Sequence, residues 1–120
     1  ELLYNSSMAV VTSDYTANIQ TMIINRPTLW LWDLDYHTIR EDSKKFYDEL
    51  HDAGILFYDP LSCAKKINEI SIDPMKWWMS EKIQKARSNF SNNFCNVSED
   101  LSYDLYTIVN KIVNKENHIR

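Results

Sequence analysis

The sequence has 120 residues, 44% of them hydrophobic and 25% charged, with 13 basic against 17 acidic side chains and a formal net charge of −4. That is enough chain for one domain with a real core, and the composition excludes a disordered, collagen-like or coiled-coil protein. No apolar run approaches the roughly 20 residues of a membrane helix, and net acidity without a basic stripe argues against nucleic acid as a partner.

The chain opens Glu1-Leu2-Leu3-Tyr4-Asn5, with neither an initiator Met nor a secretory signal, so it reads as a processed chain or a piece of a longer one. Leu2 and Leu3 before Asn5-Ser6-Ser7 have the pattern of a helix end. Met8 to Thr12 is a short continuous apolar run, which predicts a strand buried on both faces. Thr12 to Thr16 supplies turn and N-cap chemistry, and Ile19, Met22 and Ile23 recur at helical spacing until Arg26-Pro27 stops the helix. Thr28 to Trp32 predicts a second strand with β-prone aromatics. After the polar loop from Asp33 to Thr38, Ile39, Phe46 and Leu50 mark one helical stripe, ended by Gly54 as a left-handed C-cap. Ile55 to Tyr58 predicts a third strand. Asp59-Pro60 and Asp73-Pro74 each pair an N-cap with a first-turn proline and open two further helices. Ser80 to Phe94 predicts another helix. Ser98-Glu99-Asp100 starts the last one, with Leu101, Leu105, Ile108, Val109 and Ile112 on a single face and fraying expected from Glu116.

Strands alternating with helices predict an α/β fold: a partial Rossmann-like, three-layer domain with a short parallel sheet of about three strands and several helices. Residues 1–95 form the body, and 96–120 are a C-terminal helix and tail of the same domain. Cys63 and Cys95 lie in different helical regions without CxxC spacing, which predicts free, buried thiols in a reducing compartment. Lys82, Lys85 and Arg87 read as a solvated helix face, and the Asn-x-Ser triplets at Asn5, Asn89 and Asn96 as chance in a chain rich in both residues.

In an open parallel sheet ligands bind beyond the carboxyl ends of the strands, here residues 12–18, 33–40 and 58–60. The first segment opens a helix, where free N–H groups and the dipole hold a phosphate without lysine; Ser13, Thr16 and Asn18 add side-chain donors. Spacing alone equally describes a well-capped helix with no ligand, and no glycine-rich fingerprint decides the matter. The second segment gathers Asp33, Asp35, Tyr36, His37 and Arg40; a histidine beside carboxylates suits acid–base work, although such loops are often merely polar. Two carboxylates one residue apart do not define a metal site, and none is assigned. Trp77 and Trp78 either stack on a sugar ring or, more commonly for such pairs, cover an edge of the core.

The run from Ser7 to Asn18, continued by Asn25-Arg26-Pro27-Thr28-Leu29-Trp30-Leu31-Trp32-Asp33, resembles the C-terminal region of bacterial surface-carbohydrate biosynthesis transferases, glycosyltransferases of GT-B-like, two-Rossmann architecture. Arg40, Phe46, Leu50, Gly54-Ile55, Ala64, the stretch from Ile67 to Ile70, Trp77-Trp78, Gln84, Ala86-Arg87 and Phe90 extend the likeness over roughly residues 1–95. The resemblance implies that the turn and helix start at Ser13, Asp14, Thr16 and Asn18 face the diphosphate of a sugar-nucleotide donor. Gln20, Asp33, His37 and Arg40 are the remaining substrate-side candidates. The donor is a substrate, no cofactor is implied, and an absent N-terminal domain binds the acceptor. Two departures stand out: Gln20 occupies a position where relatives tend to carry Glu, and His37-Thr38-Ile39-Arg40 replaces Trp-Glu-Leu-Arg. The catalytic base is left unassigned. The resemblance implies a cytoplasmic protein, free or peripheral at the inner face of the membrane. The alternative expectation is a non-catalytic α/β interaction domain that pairs into a homodimer, or packs on a partner domain, through its sheet edge or the last helix.

Overall fold

The computed structural model describes residues 5–13 and 16–119, with side chains described as far as residue 115. Leu2, Leu3 and Asp14 lie outside the described residues; Asn5 is helical, at the place where a helix end was expected. Three parallel strands, β1 (Ala9–Val11), β2 (Thr28–Leu31) and β3 (Leu56–Phe57), form a sheet in the order β1-β2-β3. Val10 is in register with Leu29, and Trp30 pairs with Val11 on one side and Leu56 on the other. The helices are α1 (Thr16–Ile23), α2 (Lys44–Ala53), α3 (Pro60–Ile70), α4 (Pro74–Trp78), α5 (Glu81–Phe94) and α6 (Leu101–Ile119).

Strand alternation divides the core into two layers. Trp30 and Trp32 point to the face where Met22 of α1, Leu50 of α2 and Ile83, Ala86 and Phe90 of α5 pack together. Leu29 points the other way, onto Cys63 and Ile70 of α3. Aromatic contacts knit the first layer: Trp30 stacks on Trp32 with centroids 5.6 Å apart and meets Phe90 edge-on at 5.2 Å. Helices on both faces of a parallel sheet make the partial Rossmann-like arrangement predicted from the alternation of elements.

Local signals set most helix ends. Asp59 and Asp73 accept from the backbone N–H groups of Ser62 and Lys76, each with proline in the first turn. Gly54 takes φ 86°, its N–H donates to the His51 carbonyl, and the Ile55 N–H reaches the Leu50 carbonyl in a Schellman closure.

Several expectations need correction. β1 is not buried on both faces: Val10 is 44% exposed, because α3 packs on β2 and β3 and leaves β1 uncovered on that side. The helix expected from Ile39 begins only at Lys44. Arg40 and Ser43 both bond the Asp42 carboxylate and hold a turn there, while Ile39 packs on the core from the loop. Arg87 is not on a solvated face. It turns inward, donating to the Met22 carbonyl (2.9 Å) and to Gln84 (3.1 Å). Trp78 is fully buried and Trp77 half-buried, so the pair belongs to the core.

Candidate functional site

The carboxyl ends of all three strands open onto one cleft of about 460 Å³, whose walls include Thr12 after β1, Trp32, Asp33, Tyr36 and His37 after β2, and Tyr58 after β3. The three segments expected to meet beyond the sheet do so. Of the candidate residues, Asp33 and His37 line this cleft. Ser13, Thr16, Asn18 and Gln20 do not; they belong to the turn and helix that leave β1 beside Thr12. Arg40 is 82% exposed at the side chain, bound to Asp42 at 2.6 Å, and borders a separate pocket behind Trp32.

α1 is held from its far end. Asn25, in the left-handed region at φ 53°, accepts from Trp78 Nε1 (2.7 Å) and Gln84 Nε2 (3.1 Å), and Arg87 caps the Met22 carbonyl. These contacts join the C-terminus of α1 to α4 and α5 and so fix where its N-terminus sits. At that N-terminus, no acidic residue occupies the first turn. Asn18, third in the helix, is only 3% exposed, and neither its amide nitrogen nor its oxygen has a partner among the described residues. The indole N–H of Trp32, in the cleft wall, is likewise buried and unpartnered. Buried polar atoms left without partners cost free energy, a condition that Thr28 Oγ1, Trp30 Nε1 and Ser91 Oγ share in the core.

The loop after β2 is ordered by its own backbone. Asp33 Oδ1 accepts from the Asp35 N–H at 2.9 Å, and the Asp33 carbonyl accepts both the His37 N–H and His37 Nδ1. The His37 ring stacks on Trp32, centroids 5.2 Å apart and 12° from parallel. A second cleft of about 420 Å³ lies across His37 and Tyr58, bordered by Glu41, Lys44 and Asp48. The hydrogen bond to Asp48 raises the Lys44 ammonium above its ordinary value, and burial does the same for the Tyr58 phenol, so Tyr58 stays a protonated donor at neutral pH. Thr12, Trp32 and Tyr58 were not singled out by name as site residues from sequence, whereas Tyr36 was among the loop residues gathered after the second strand. Their position directly after a strand was the available signal. Among the described residues no cluster of three or more His, Cys, Asp and Glu is placed to hold a metal ion. None of the described helices is long and apolar enough to cross a membrane.

Fold and cleft together define an open, parallel, Rossmann-like α/β domain with its ligand-accessible face at the strand ends. More specifically, residues 1–107 match the sequence model of the LIC12162 family of transferases, and the chain belongs to that family. No curated protein and no solved structure matches the chain.

Proposed function

We propose that this chain is the donor-binding, C-terminal part of a sugar-nucleotide-dependent glycosyltransferase of surface polysaccharide or lipopolysaccharide biosynthesis. Membership of a transferase family supports the reaction class. The observation that carries the reading is Asn18, a buried amide with both polar atoms unpartnered in the first turn of a helix that opens at the carboxyl edge of a parallel sheet. The free N–H groups of that turn, with Ser13, Thr16 and Asn18, hold the donor diphosphate. Gln20 contacts the donor's sugar or ribose, and Arg40 serves as the ion-pair partner of Asp42. Such a protein positions the donor and stabilises the departing diphosphate, while an acceptor-binding domain N-terminal to these residues completes the enzyme. The sugar nucleotide is substrate and not cofactor. Cytoplasmic placement belongs to the same reading and is supported by the two free buried thiols. An NMR titration with CMP, CDP, UDP and GDP tests it. Shifts confined to residues 12–20 and 33–40 are expected, and no shift in a folded chain refutes it.

A second reading rests on α6. Leu101, Leu105, Ile108 and Ile112 follow heptad spacing, each is more than half exposed, and no described α6 residue joins either core cluster. A helix without tertiary packing is marginal in water, so this face has a partner. A second copy running antiparallel sets Leu101 against Ile112 and Leu105 against Ile108, which places Asp104 beside Lys111 in both halves. That charge match favours self-pairing. Light scattering should show a dimer that Leu105→Asp converts to monomer. A monomeric unsubstituted chain refutes the pairing and leaves the face to the acceptor-binding domain.

A further inference from the structure

α6 carries more apolar surface than one seam uses. Leu101, Leu105, Ile108 and Ile112 form the stripe that pairs in the second reading above. Tyr106, Val109 and Val113 repeat the spacing of Leu105, Ile108 and Ile112 one residue later, and each is about half exposed or more. In a helix of 3.6 residues per turn, a one-residue offset turns the second stripe about 100° from the first. Together they make an apolar sector wider than the narrow seam of a two-stranded coil. Asp104, Lys111 and Lys115, the charged residues among the described α6 side chains, all fall outside that sector. The helix also stands clear of the body. No described α6 residue joins either core cluster, and the radius of gyration is 17.6 Å, against about 14 Å for a compact chain of this length.

Two stripes at roughly a right angle suit a helix at the corner of a square bundle, one stripe for each nearest neighbour. Symmetry narrows the arrangement. The first stripe pairs antiparallel, by the match of Asp104 to Lys111. A parallel contact on the second stripe would turn the next copy's first stripe away from the bundle. An antiparallel contact turns it inward, and the ring closes with helix directions alternating. An alternating ring has an even number of members, and right-angled corners make it four. The levels agree as well. The first stripe sets Leu101 opposite Ile112 and is centred between Tyr106 and Thr107. The second sets Tyr106 opposite Val109 and Ser102 opposite Val113, centred between Thr107 and Ile108. Those centres are one residue apart, a rise of about 1.5 Å, so the ring closes on itself instead of climbing into a filament.

We propose that α6 assembles four copies of this chain into an antiparallel four-helix bundle: Leu101, Leu105, Ile108 and Ile112 form the dimer, and Tyr106, Val109 and Val113 join two dimers. The proposal rests on the self-pairing reading above and adds the surface that the dimer leaves bare. Another copy fits that surface better than a charged partner does, because Tyr103 and Asn110 flank it on the side away from the first stripe and no described charge borders it.

Sedimentation equilibrium of this chain over a wide range of concentration is the test. The mass should double, from two copies at dilution to four as the concentration rises. Val109→Asp should halt assembly at two copies, since its charge falls only in the second stripe. Ser102→Leu extends that stripe opposite Val113 and should lower the midpoint concentration of the dimer–tetramer step by about tenfold. Both positions are exposed and outside the core clusters, and circular dichroism reports whether each variant is folded. A mass that stays at two copies throughout in the unsubstituted chain overturns the proposal, leaving the dimer intact and the second stripe to a different partner. So does a limiting mass of three copies, growth without limit, or a tetramer of folded Val109→Asp. A chain that stays monomeric removes the self-pairing reading, and this proposal with it.

Discussion

Replacing Asn18 with leucine should make the unliganded protein more stable while abolishing nucleotide binding. Asn18 is 3% exposed with both amide atoms unpartnered, and it lies on the α1 face that also buries Thr21 and Met22. An unsatisfied buried amide costs about 1–3 kcal/mol, and an apolar side chain of similar size removes that cost. Leucine's different branching returns up to about 1 kcal/mol as strain, so the expected net gain is about 1 kcal/mol. At this chain length that is a rise in Tm of about 3–6 °C. Urea unfolding followed by tryptophan fluorescence measures the change, with Asn18→Ala as a version that adds no bulk. A loss of more than about 1 kcal/mol in both variants would show that the amide is satisfied within the folded chain, and the argument for a ligand at α1 would lose its foundation. A gain in stability with unchanged nucleotide binding would separate the orphaned amide from the site. The expected combination, more stable and unable to bind, is the trade-off of a site kept at the expense of the fold.

Gly54→Ala should destabilise by about 1 kcal/mol, the cost of holding a side chain in the left-handed region. An added Cβ would meet only Lys66 Cε at 3.7 Å, so the backbone alone sets the effect, and an unchanged urea midpoint would contradict it. The hydrogen bond from Ser62 lowers the Asp59 carboxyl below its ordinary value. A depressed folded-state value means stability present above the unfolded pKa and lost as the pH falls through the folded one. Asp59→Ala should therefore lower Tm near neutrality, and the gap should close as the pH falls through the folded-state value of the Asp59 carboxyl, below its ordinary one. A gap of constant size across that range in thermal melts would exclude the cap as its origin.

Much of this fold was legible because its elements are locally encoded. Asp59-Pro60 and Asp73-Pro74 carry their caps within three residues, Gly54 ends α2 by its own conformational freedom, and β2 is apolar on both sides because helices cover both faces. The order of strands and helices likewise implied a parallel sheet, and with it the edge where residues 12–18, 33–40 and 58–60 converge. Burial that depends on distant segments was not legible. Val10 and its neighbours look alike in sequence, yet only the placement of α3 decides that Val10 is exposed and Leu29 is not. Arg87 sits among lysines in the chain but turns inward because α1 ends beside it. Ile39 fits a helical period, and a turn held at Asp42 keeps it out of the helix. The site divides in the same way. The sequence by itself determined the residue types at the strand ends and the helix that opens there. Only the tertiary structure decided that Asn18 is buried without partners among the described residues and that His37 borders two clefts. These are properties of neighbours brought together from separate parts of the chain, which no local pattern encodes.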